Sequence, residues 1–219
     1  MNLPNQSIPQ ENSANSKKML MAMVGIGAFC ALLIVLIFEG TKERRAFLKA
    51  EALEKAIFQV IPNAKSMKPM QFIDGKLTEV DKDAKGETLY AGYDESNQLV
   101  GYAIEASGQG YADIIKILYG YDPQKQAIVG FQVLESKETP GLGDKIEKEE
   151  AFLANFISLD VTLNADKKAL ANEVVTVKQG EKTNPWEVDG ITGATISSRA
   201  IGDIINSSMQ EMGPKIGSK

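Results

Sequence analysis

Histidine is absent from the 219 residues, and cysteine occurs once, at Cys30. Without imidazole the chain has no histidine zinc site, no catalytic triad and no histidine general base. A single cysteine excludes an intrachain disulfide, a CxxC redox pair and an iron–sulfur cluster held by this chain alone. Any redox chemistry therefore requires a bound organic cofactor.

Basic residues are fewer than acidic residues. The chain has 24 lysines and arginines against 29 acidic residues, which gives a net charge of −5. A nucleic-acid binder needs a basic face that neutralises phosphates, so this class is disfavoured. Apolar residues make up 43% and charged residues 24%, values typical of a chain that folds around a core. The length suits one domain with additional segments.

One long apolar run lies near the N-terminus. Residues 1–16 are polar and rich in Asn, Ser, Gln and Pro, and with the two lysines that follow they predict a disordered tail over residues 1–18. Residues 19–38 carry no charge and are long enough, at about 1.5 Å per residue, to cross a hydrocarbon core of about 30 Å. A cleaved signal peptide would have a shorter apolar region and a small-residue cleavage site. We therefore predict an uncleaved transmembrane anchor.

Charge leaves the orientation of this anchor open. Two lysines precede the span, and Lys42, Arg44 and Arg45 follow it, so the positive-inside rule favours neither side. Over residues 41–61 apolar side chains then recur at a spacing of three to four, which predicts an amphipathic linker helix.

After this helix the pattern changes from helical to alternating. Pro62 ends the helix, and the polar stretch that follows it, up to residues 81–85, predicts a surface loop. Four apolar runs with short turns between them predict strands at residues 89–93, 99–104, 114–119 and 128–134. Consecutive strands joined by tight turns predict an antiparallel sheet.

The remaining elements complete an α+β fold. A helix is predicted from residue 144 or 145 to residue 156, a short strand at 174–177, and a last helix over 196–212 that stops at Gly213 and Pro214. Strands in one block with helices at the ends favour α+β over a doubly wound sheet. We expect the folded domain over residues 85–213.

A glycine-rich segment, DGITGATISS at residues 189–198, precedes the last helix. Thr195 falls at or next to the helix N-cap, where threonine commonly accepts a backbone N–H bond for a purely structural reason. The same position suits a phosphate, because the free N–H groups and the helix dipole face it. Gly193 and Ala194 leave room for a bulky group, and Asp189 would help to hold a divalent metal during a modification reaction. These residues alone leave both interpretations of Thr195 open.

A second glycine-rich segment, ESKETPGLGDK at residues 135–145, follows the fourth predicted strand. The Pro-Gly pair in its middle favours a type II turn. Glu138 and Thr139 stand at the end of a strand, where loops commonly build ligand sites. Leu142 offers the apolar contact that a planar ligand requires. A plain structural turn is the alternative.

These two segments resemble the hallmarks of one domain family. Residues 189–195, DGITGAT, resemble the flavinylation motif of FMN-binding domains, and residues 137–146, KETPGLGDKI, resemble their second hallmark loop. With its N-terminal anchor and its length, the chain resembles the family of G subunits found in Rnf-type ion-translocating electron-transport complexes. Members of that family often carry histidine where this chain has Lys137.

The resemblance implies a covalently bound flavin. In the family a flavin transferase, using FAD and a divalent metal, links FMN through its phosphate to the last threonine of the motif, which is Thr195 here. The other implied FMN-binding residues are Thr192, Gly193 and Ala194 at the phosphate, Asp189 in the modification step, and Glu138, Thr139, Leu142 and Gly143 along the isoalloxazine or ribityl chain. Tyr111 and Trp186 are further candidate ring contacts. The resemblance implies neither a catalytic residue nor a resident metal.

The resemblance also implies a function and a location. The flavin would relay electrons between the ferredoxin and NAD branches of an ion-translocating oxidoreductase, and the subunit would not be catalytic alone. Its partners would be other membrane subunits of the complex and, during maturation, the flavin transferase. The domain would lie outside the bacterial cytoplasmic membrane, with residues 1–18 inside.

Two alternatives stand beside this interpretation. The C subunit of the sodium-pumping NADH:quinone reductase has the same domain and attachment, although such chains tend to be longer. An anchored extracytoplasmic binding module without flavin would use Thr195 only as an N-cap and the second segment only as a turn.

Overall fold

The computed structural model describes residues 13–81, 84 and 86–217 of the chain. The chain divides into two compact units, Met1–Glu51 and Ala52–Lys219. The second unit begins well before residue 85, so the domain expected over residues 85–213 is part of a larger folded body.

The first unit is dominated by helix α1, Ser13–Gly40. Its segment Ser16–Gly40, 25 residues long, is long and apolar enough to cross a membrane, and it contains the anchor predicted at residues 19–38. Residues 13–18 of the predicted tail are helical, because the helix continues beyond the apolar run into polar residues. Residues 1–12, the rest of that tail, lie outside the described residues.

An antiparallel sheet forms the framework of the second unit. Its strands are β1 (Ser66–Ile73), β2 (Lys76–Glu79), β3 (Leu89–Tyr93), β4 (Leu99–Gln109), β5 (Ile114–Asp122), β6 (Ala127–Glu135) and β7 (Leu159–Asp160). The seven strands lie in the order β2-β1-β3-β4-β5-β6-β7. The predicted α+β fold with an antiparallel sheet is confirmed.

Strands β1 and β2 replace the surface loop that was predicted after Pro62. Asp74 and Gly75 join them with φ values of 50° and 75°, the left-handed geometry of a tight hairpin turn. On its other side β1 pairs with β3, where Met70 lies opposite Leu89. Because most side chains of β1 are at least partly exposed, its sequence lacks the alternation that marks a half-buried strand.

Helix α2, Lys42–Val60, matches the predicted linker helix, and its C-terminal end packs against glycines of the sheet. Gly120 on β5 lies opposite Gly130 on β6. A β-carbon on Gly120 would lie 2.6 Å from the carbonyl carbon of Val60, and one on Gly130 would lie 2.7 Å from it. We call Gly120 and Gly130 the glycine slot, because only glycine leaves the space that the helix end occupies.

Helix α4, Thr195–Gly217, covers the opposite face of the sheet. The hydroxyl oxygens of Ser208 on α4 and Tyr119 on β5 are 2.6 Å apart. The prediction that this helix stops at Gly213 and Pro214 is wrong. Ile216 is buried, so its packing keeps the last turn helical although Pro214 lacks an N–H.

The segment between β6 and α4 is more broken than the sequence indicates. The predicted helix over 144–156 consists of a 3₁₀ turn (Gly143–Glu147), the short helix α3 (Glu150–Leu153) and a second 3₁₀ turn (Ala154–Ile157). Its rings Phe152 and Phe156 pack on Phe131 of β6 with centroids 6.4 and 4.4 Å away, and a straight helix would not follow the sheet so closely.

Two short strands complete the second unit. They are β8 (Val175–Val177), which confirms the strand predicted at 174–177, and β9 (Glu187–Asp189). They pair in parallel, unlike the strands of the main sheet. Strand β9 leads into the glycine-rich segment before α4.

Candidate functional site

A cavity of about 320 Å³ lies where three segments meet: the β4–β5 loop, the loop after β6, and the start of α4. We call it the Thr195 cavity. Its lining residues are Tyr111, Glu138, Thr139, Leu142, Gly143, Gly193, Ala194, Thr195, Ile196 and Ser197. Its volume is at the lower end of the roughly 300–1,000 Å³ of small-molecule sites. The two glycine-rich segments therefore meet at one site.

Thr195 is the first residue of α4, and it is exposed at the cavity. The carbonyl of Ala194 accepts the first helical bond, from the N–H of Ser198 at 2.9 Å, so Ala194 occupies the N-cap position. Within the described part of the chain, the Thr195 hydroxyl has no hydrogen-bond partner. The capping interpretation of Thr195 therefore does not apply, and its hydroxyl is available for chemistry.

The backbone beside this hydroxyl offers donors for an anion. The first N–H groups of an α-helix have no intrahelical acceptor, and here they belong to Thr195, Ile196 and Ser197. Gly193 just before them has a φ of 84°, and a β-carbon there would meet nothing within 4 Å. The start of α4 thus borders open space and suits a phosphate ester on Thr195.

Glu138 is buried at the centre of the site, with 6% of its surface exposed. Its Oε1 accepts the N–H of Ala112 at 2.9 Å, and its Oε2 accepts a hydrogen bond from the hydroxyl of Ser197. Both carboxylate oxygens are therefore used within the protein. Glu138 lines the Thr195 cavity, but its carboxylate is hydrogen-bonded to two walls of the cavity.

The second segment forms the predicted type II turn. The carbonyl of Thr139 accepts the N–H of Leu142 at 3.1 Å, and Gly141 has the positive φ, 79°, that the third position of this turn requires. The carboxylate of Asp144 accepts the N–H of Gly141 at 2.7 Å and holds the turn from within. Leu142 is left 52% exposed at the cavity, where it offers apolar surface to a planar ring.

Lys137 forms an ion pair with the β4–β5 loop. Its Nζ lies 2.5 Å from Oδ2 of Asp113 on the β4–β5 loop. This hydrogen-bonded ion pair raises the pKa of Lys137 and lowers the pKa of Asp113. Lys137 therefore ties two walls together outside the cavity and does not line it.

Three candidates from the sequence do not line the Thr195 cavity: Asp189, Thr192 and Trp186. The carboxylate of Asp189 accepts the N–H of Gly180 at 2.7 Å, and the N–H of Thr192 donates to Oε1 of Gln179 at 3.0 Å. These bonds fix the loop before β9 against the motif. Among the residues that the structure describes, no three Asp, Glu, His or Cys side chains are grouped for a metal ion.

Asn155 supports the motif from the protein interior, where it is 5% exposed. Its Nδ2 donates to the carbonyls of Phe152 at 2.9 Å and Asp189 at 3.1 Å. Its Oδ1 accepts the N–H of Asp189 at 2.9 Å and Nζ of Lys182 at 3.1 Å. The side-chain amide of Asn155 thus binds both the N–H and the carbonyl of Asp189, as the backbone of an adjacent strand would.

The sequence patterns missed several functional positions. Ile196 and Ser197 also line the cavity, and Asn155 fixes the first residue of the motif. Ser197 lies two residues after the motif, but its partner, Glu138, is 59 residues away along the chain. The only available signal was the proximity of Ser197 to Thr195.

Comparisons with known proteins agree with this geometry. A family model described as the FMN-binding domain matches residues 110–210, which include every residue that lines the cavity. The chain is 33% identical to the G subunit of an ion-translocating oxidoreductase complex of Methanosarcina acetivorans over 207 residues, which cover 94% of this chain and 99% of the relative. The chain belongs to this family of G subunits. The predictions of an FMN-binding domain and of an electron-transport subunit of an ion-translocating oxidoreductase are confirmed.

Two further comparisons concern a second G subunit and a solved structure with a similar fold. It is 27% identical to the G subunit of the Na(+)-translocating ferredoxin:NAD(+) oxidoreductase complex of Acetobacterium woodii over 88% of both chains. The crystal structure of the C subunit of Na(+)-translocating NADH-quinone reductase from Parabacteroides distasonis is similar with a TM-score of 0.62, over 80% of this chain and 98% of that one. At 21% identity the latter shows the shared fold alone. The alternative of a quinone-reductase C subunit fits less well than a G subunit.

Proposed function

We propose that this subunit binds FMN through a phosphoester to Thr195 and relays electrons within an ion-translocating oxidoreductase complex. The observation that carries this proposal is the unpartnered hydroxyl of Thr195 on a cavity inside an FMN-binding domain. Since Ala194 occupies the N-cap position, the fold does not need this hydroxyl as its cap.

The residues of the Thr195 cavity fit the two ends of FMN. The N–H groups at the start of α4 suit the phosphate. Tyr111, Leu142 and Ile196 are 66%, 52% and 53% exposed, and they offer apolar surface for the isoalloxazine. When bound, FMN supplies the electron-transfer chemistry that no side chain of this chain provides. The small cavity suits part of the cofactor and leaves the remainder accessible to a redox partner.

A flavin transferase would carry out the attachment, with FAD as the donor. The Thr195 oxygen would form a bond to the phosphorus of the FMN half of FAD, the phosphoanhydride bond would break, and AMP would leave. The hydroxyl proton would pass to a base of the transferase. Asp189 and Thr192, which lie outside the cavity, contribute by shaping the loop that the transferase recognises.

Helix α1 would anchor the subunit, with the flavin domain on the extracytoplasmic side and residues 1–18 inside. Length and composition of the helix support the anchor, and the membrane side follows from the family resemblance. A covalent bond would keep FMN from escaping into an open compartment. Electrons would pass between ferredoxin and NAD branches through other subunits, as the name of the Acetobacterium woodii relative indicates for that complex.

Flavin fluorescence in a denaturing gel tests the attachment. Wild type, Thr195→Ala, Thr195→Ser and Thr192→Ala are produced with an active flavin transferase. We expect fluorescence from the wild type, Thr195→Ser and Thr192→Ala, because each keeps a hydroxyl at the start of α4, and a dark Thr195→Ala band. A fluorescent Thr195→Ala would move the attachment to another hydroxyl. A dark wild type, with the transferase active on a control substrate, would favour a module without covalent flavin.

A further inference from the structure

We propose that Glu138 is the positioning residue of the Thr195 cavity. Its carboxylate fixes the first turn of α4, and with it the Thr195 hydroxyl, relative to the two loops that face this helix. The inference rests on the proposed attachment at Thr195. It differs from the role that the family resemblance implies for Glu138, which is contact with the flavin.

One carboxylate joins three distant parts of the chain. Oε1 of Glu138 accepts the N–H of Ala112, 26 residues away, and Oε2 accepts the hydroxyl of Ser197, 59 residues away. Glu138 and Ser197 are 6% and 3% exposed, so water competes little for these bonds. The three joined segments are the three walls of the cavity.

The backbone of Gly110 and of Gly143 packs closely against the side chain of Glu138. A β-carbon on Gly110, in the β4–β5 loop, would lie 2.6 Å from Oε1 of Glu138. A β-carbon on Gly143, in the loop after β6, would lie 2.7 Å from both Cβ and Oε2 of the same residue. Side chains at either glycine would displace the carboxylate, so both loops are shaped around it.

The hydrogen bond between Glu138 and Ser197 also determines the position of Thr195. Thr195 and Ser197 are the first and third residues of α4 and share one helical turn. Ser197 is buried and Thr195 is exposed, so they lie on different sides of that turn. Because the turn is a rigid unit, fixing Ser197 against Glu138 also fixes where Thr195 presents its hydroxyl. A carboxylate near the start of a helix is also electrostatically favourable.

The test measures the initial rate of flavin attachment to the full chain in detergent, with purified transferase, FAD and a divalent metal. The variants are Glu138→Ala, Glu138→Gln, Ser197→Ala and the double variant Glu138→Ala/Ser197→Ala. The matched control is Ser208→Ala, which removes a serine hydrogen bond from the same helix far from the cavity. Circular dichroism confirms that each variant is folded at the assay temperature.

We expect Glu138→Ala to lower the kcat of the transferase toward the chain at least tenfold, with little change in KM, because the surface that is recognised remains. Glu138→Gln recovers part of the rate, since its amide still hydrogen-bonds to Ala112 or Ser197. The double variant is no slower than Glu138→Ala alone, because both changes remove the same bond. Ser208→Ala reacts like the wild type.

Several results would overturn the role of Glu138. These are a wild-type rate for Glu138→Ala, a change in KM alone, or single effects that multiply in the double variant. If Glu138→Ala does not fold, a wild-type rate for Ser197→Ala overturns the proposal instead. A wild type that never acquires flavin refutes the attachment at Thr195 itself, whereas a labelled wild type with unaffected variants refutes only the positioning.

Discussion

Replacing Gly120 with alanine is expected to dislodge the end of α2 from the sheet. A β-carbon at this position of the glycine slot would lie 2.6 Å from the carbonyl carbon of Val60 and closer still to its oxygen. These are backbone atoms, which cannot rotate aside as a long side chain does. The helix end must therefore retreat by about 0.8 Å or more to restore the 3.4 Å of an ordinary contact.

The magnitude follows from what this retreat disturbs. Ile57, Val60 and Ile61 at the end of α2 are completely buried. Overpacking a close-packed interior costs about 1–3 kcal/mol, and full burial of each such side chain contributes about 1.5–3 kcal/mol. We therefore expect a loss of about 3 kcal/mol or more in the free energy of unfolding. At about 2–4 °C per kcal/mol for a chain of this size, a loss of about 3 kcal/mol lowers Tm by about 6–12 °C, and a larger loss lowers it further.

Thermal unfolding of the full chain in detergent, followed by near-ultraviolet circular dichroism, measures this shift. The matched control is Gly75→Ala in the β1–β2 turn, where φ is 75° but nothing lies within 4 Å of the new β-carbon. It should cost about 1 kcal/mol for its backbone conformation alone. If Gly120→Ala lowers Tm no more than Gly75→Ala does, the close packing of α2 on the glycine slot is refuted.

Two further predictions concern the contacts that hold the glycine-rich segment at residues 189–198 and the strand before it. Asn155→Ala should lower Tm, because the backbone N–H and carbonyl of Asp189 lose a buried partner at about 1–3 kcal/mol each; an unchanged Tm would contradict this. Hydrogen bonds from the N–H of Thr183 and from Asn184 lower the pKa of Glu187 to about 2, below its ordinary 4.5. A lowered folded-state pKa gives stability that is present above pH 4.5 and lost as pH falls toward 2, so Glu187→Gln should be less stable than wild type at pH 7 and approach it at pH 2. Parallel curves of Tm against pH for the two proteins would contradict the assignment.

The sequence predicted the centre of the sheet better than its margins. Strands β3 to β6 alternate or run apolar, and all four were predicted. The hairpin of β1 and β2 was missed although Asp74 and Gly75 are a strong turn signal, because the flanking strands are mostly exposed. The end of α4 was misplaced, since the burial of Ile216 outweighs a local helix breaker.

At the candidate site, too, the sequence predicted the positions of neighbouring residues but not the contacts between residues distant along the chain. The motif places Gly193, Ala194 and Thr195 at the cavity, because these neighbours share one turn at the start of a helix. The role of Ser197 depends on Glu138, and no local pattern reports a contact across 59 residues. Asp189 belongs to the same motif, but its carboxylate is used by the loop before β9.

The two edge strands of the seven-stranded sheet, β2 and β7, affect whether copies of the protein associate through their sheets in a membrane. Strand β7 has only two residues, and β2 has four, with Lys76 and Glu79 at its ends. Short or charged edges resist the addition of a strand from another molecule. Proteins anchored in one membrane meet repeatedly in the same orientation, a situation that promotes edge-to-edge aggregation. The sheet can therefore be crowded among other subunits without joining its neighbours into a continuous β-structure.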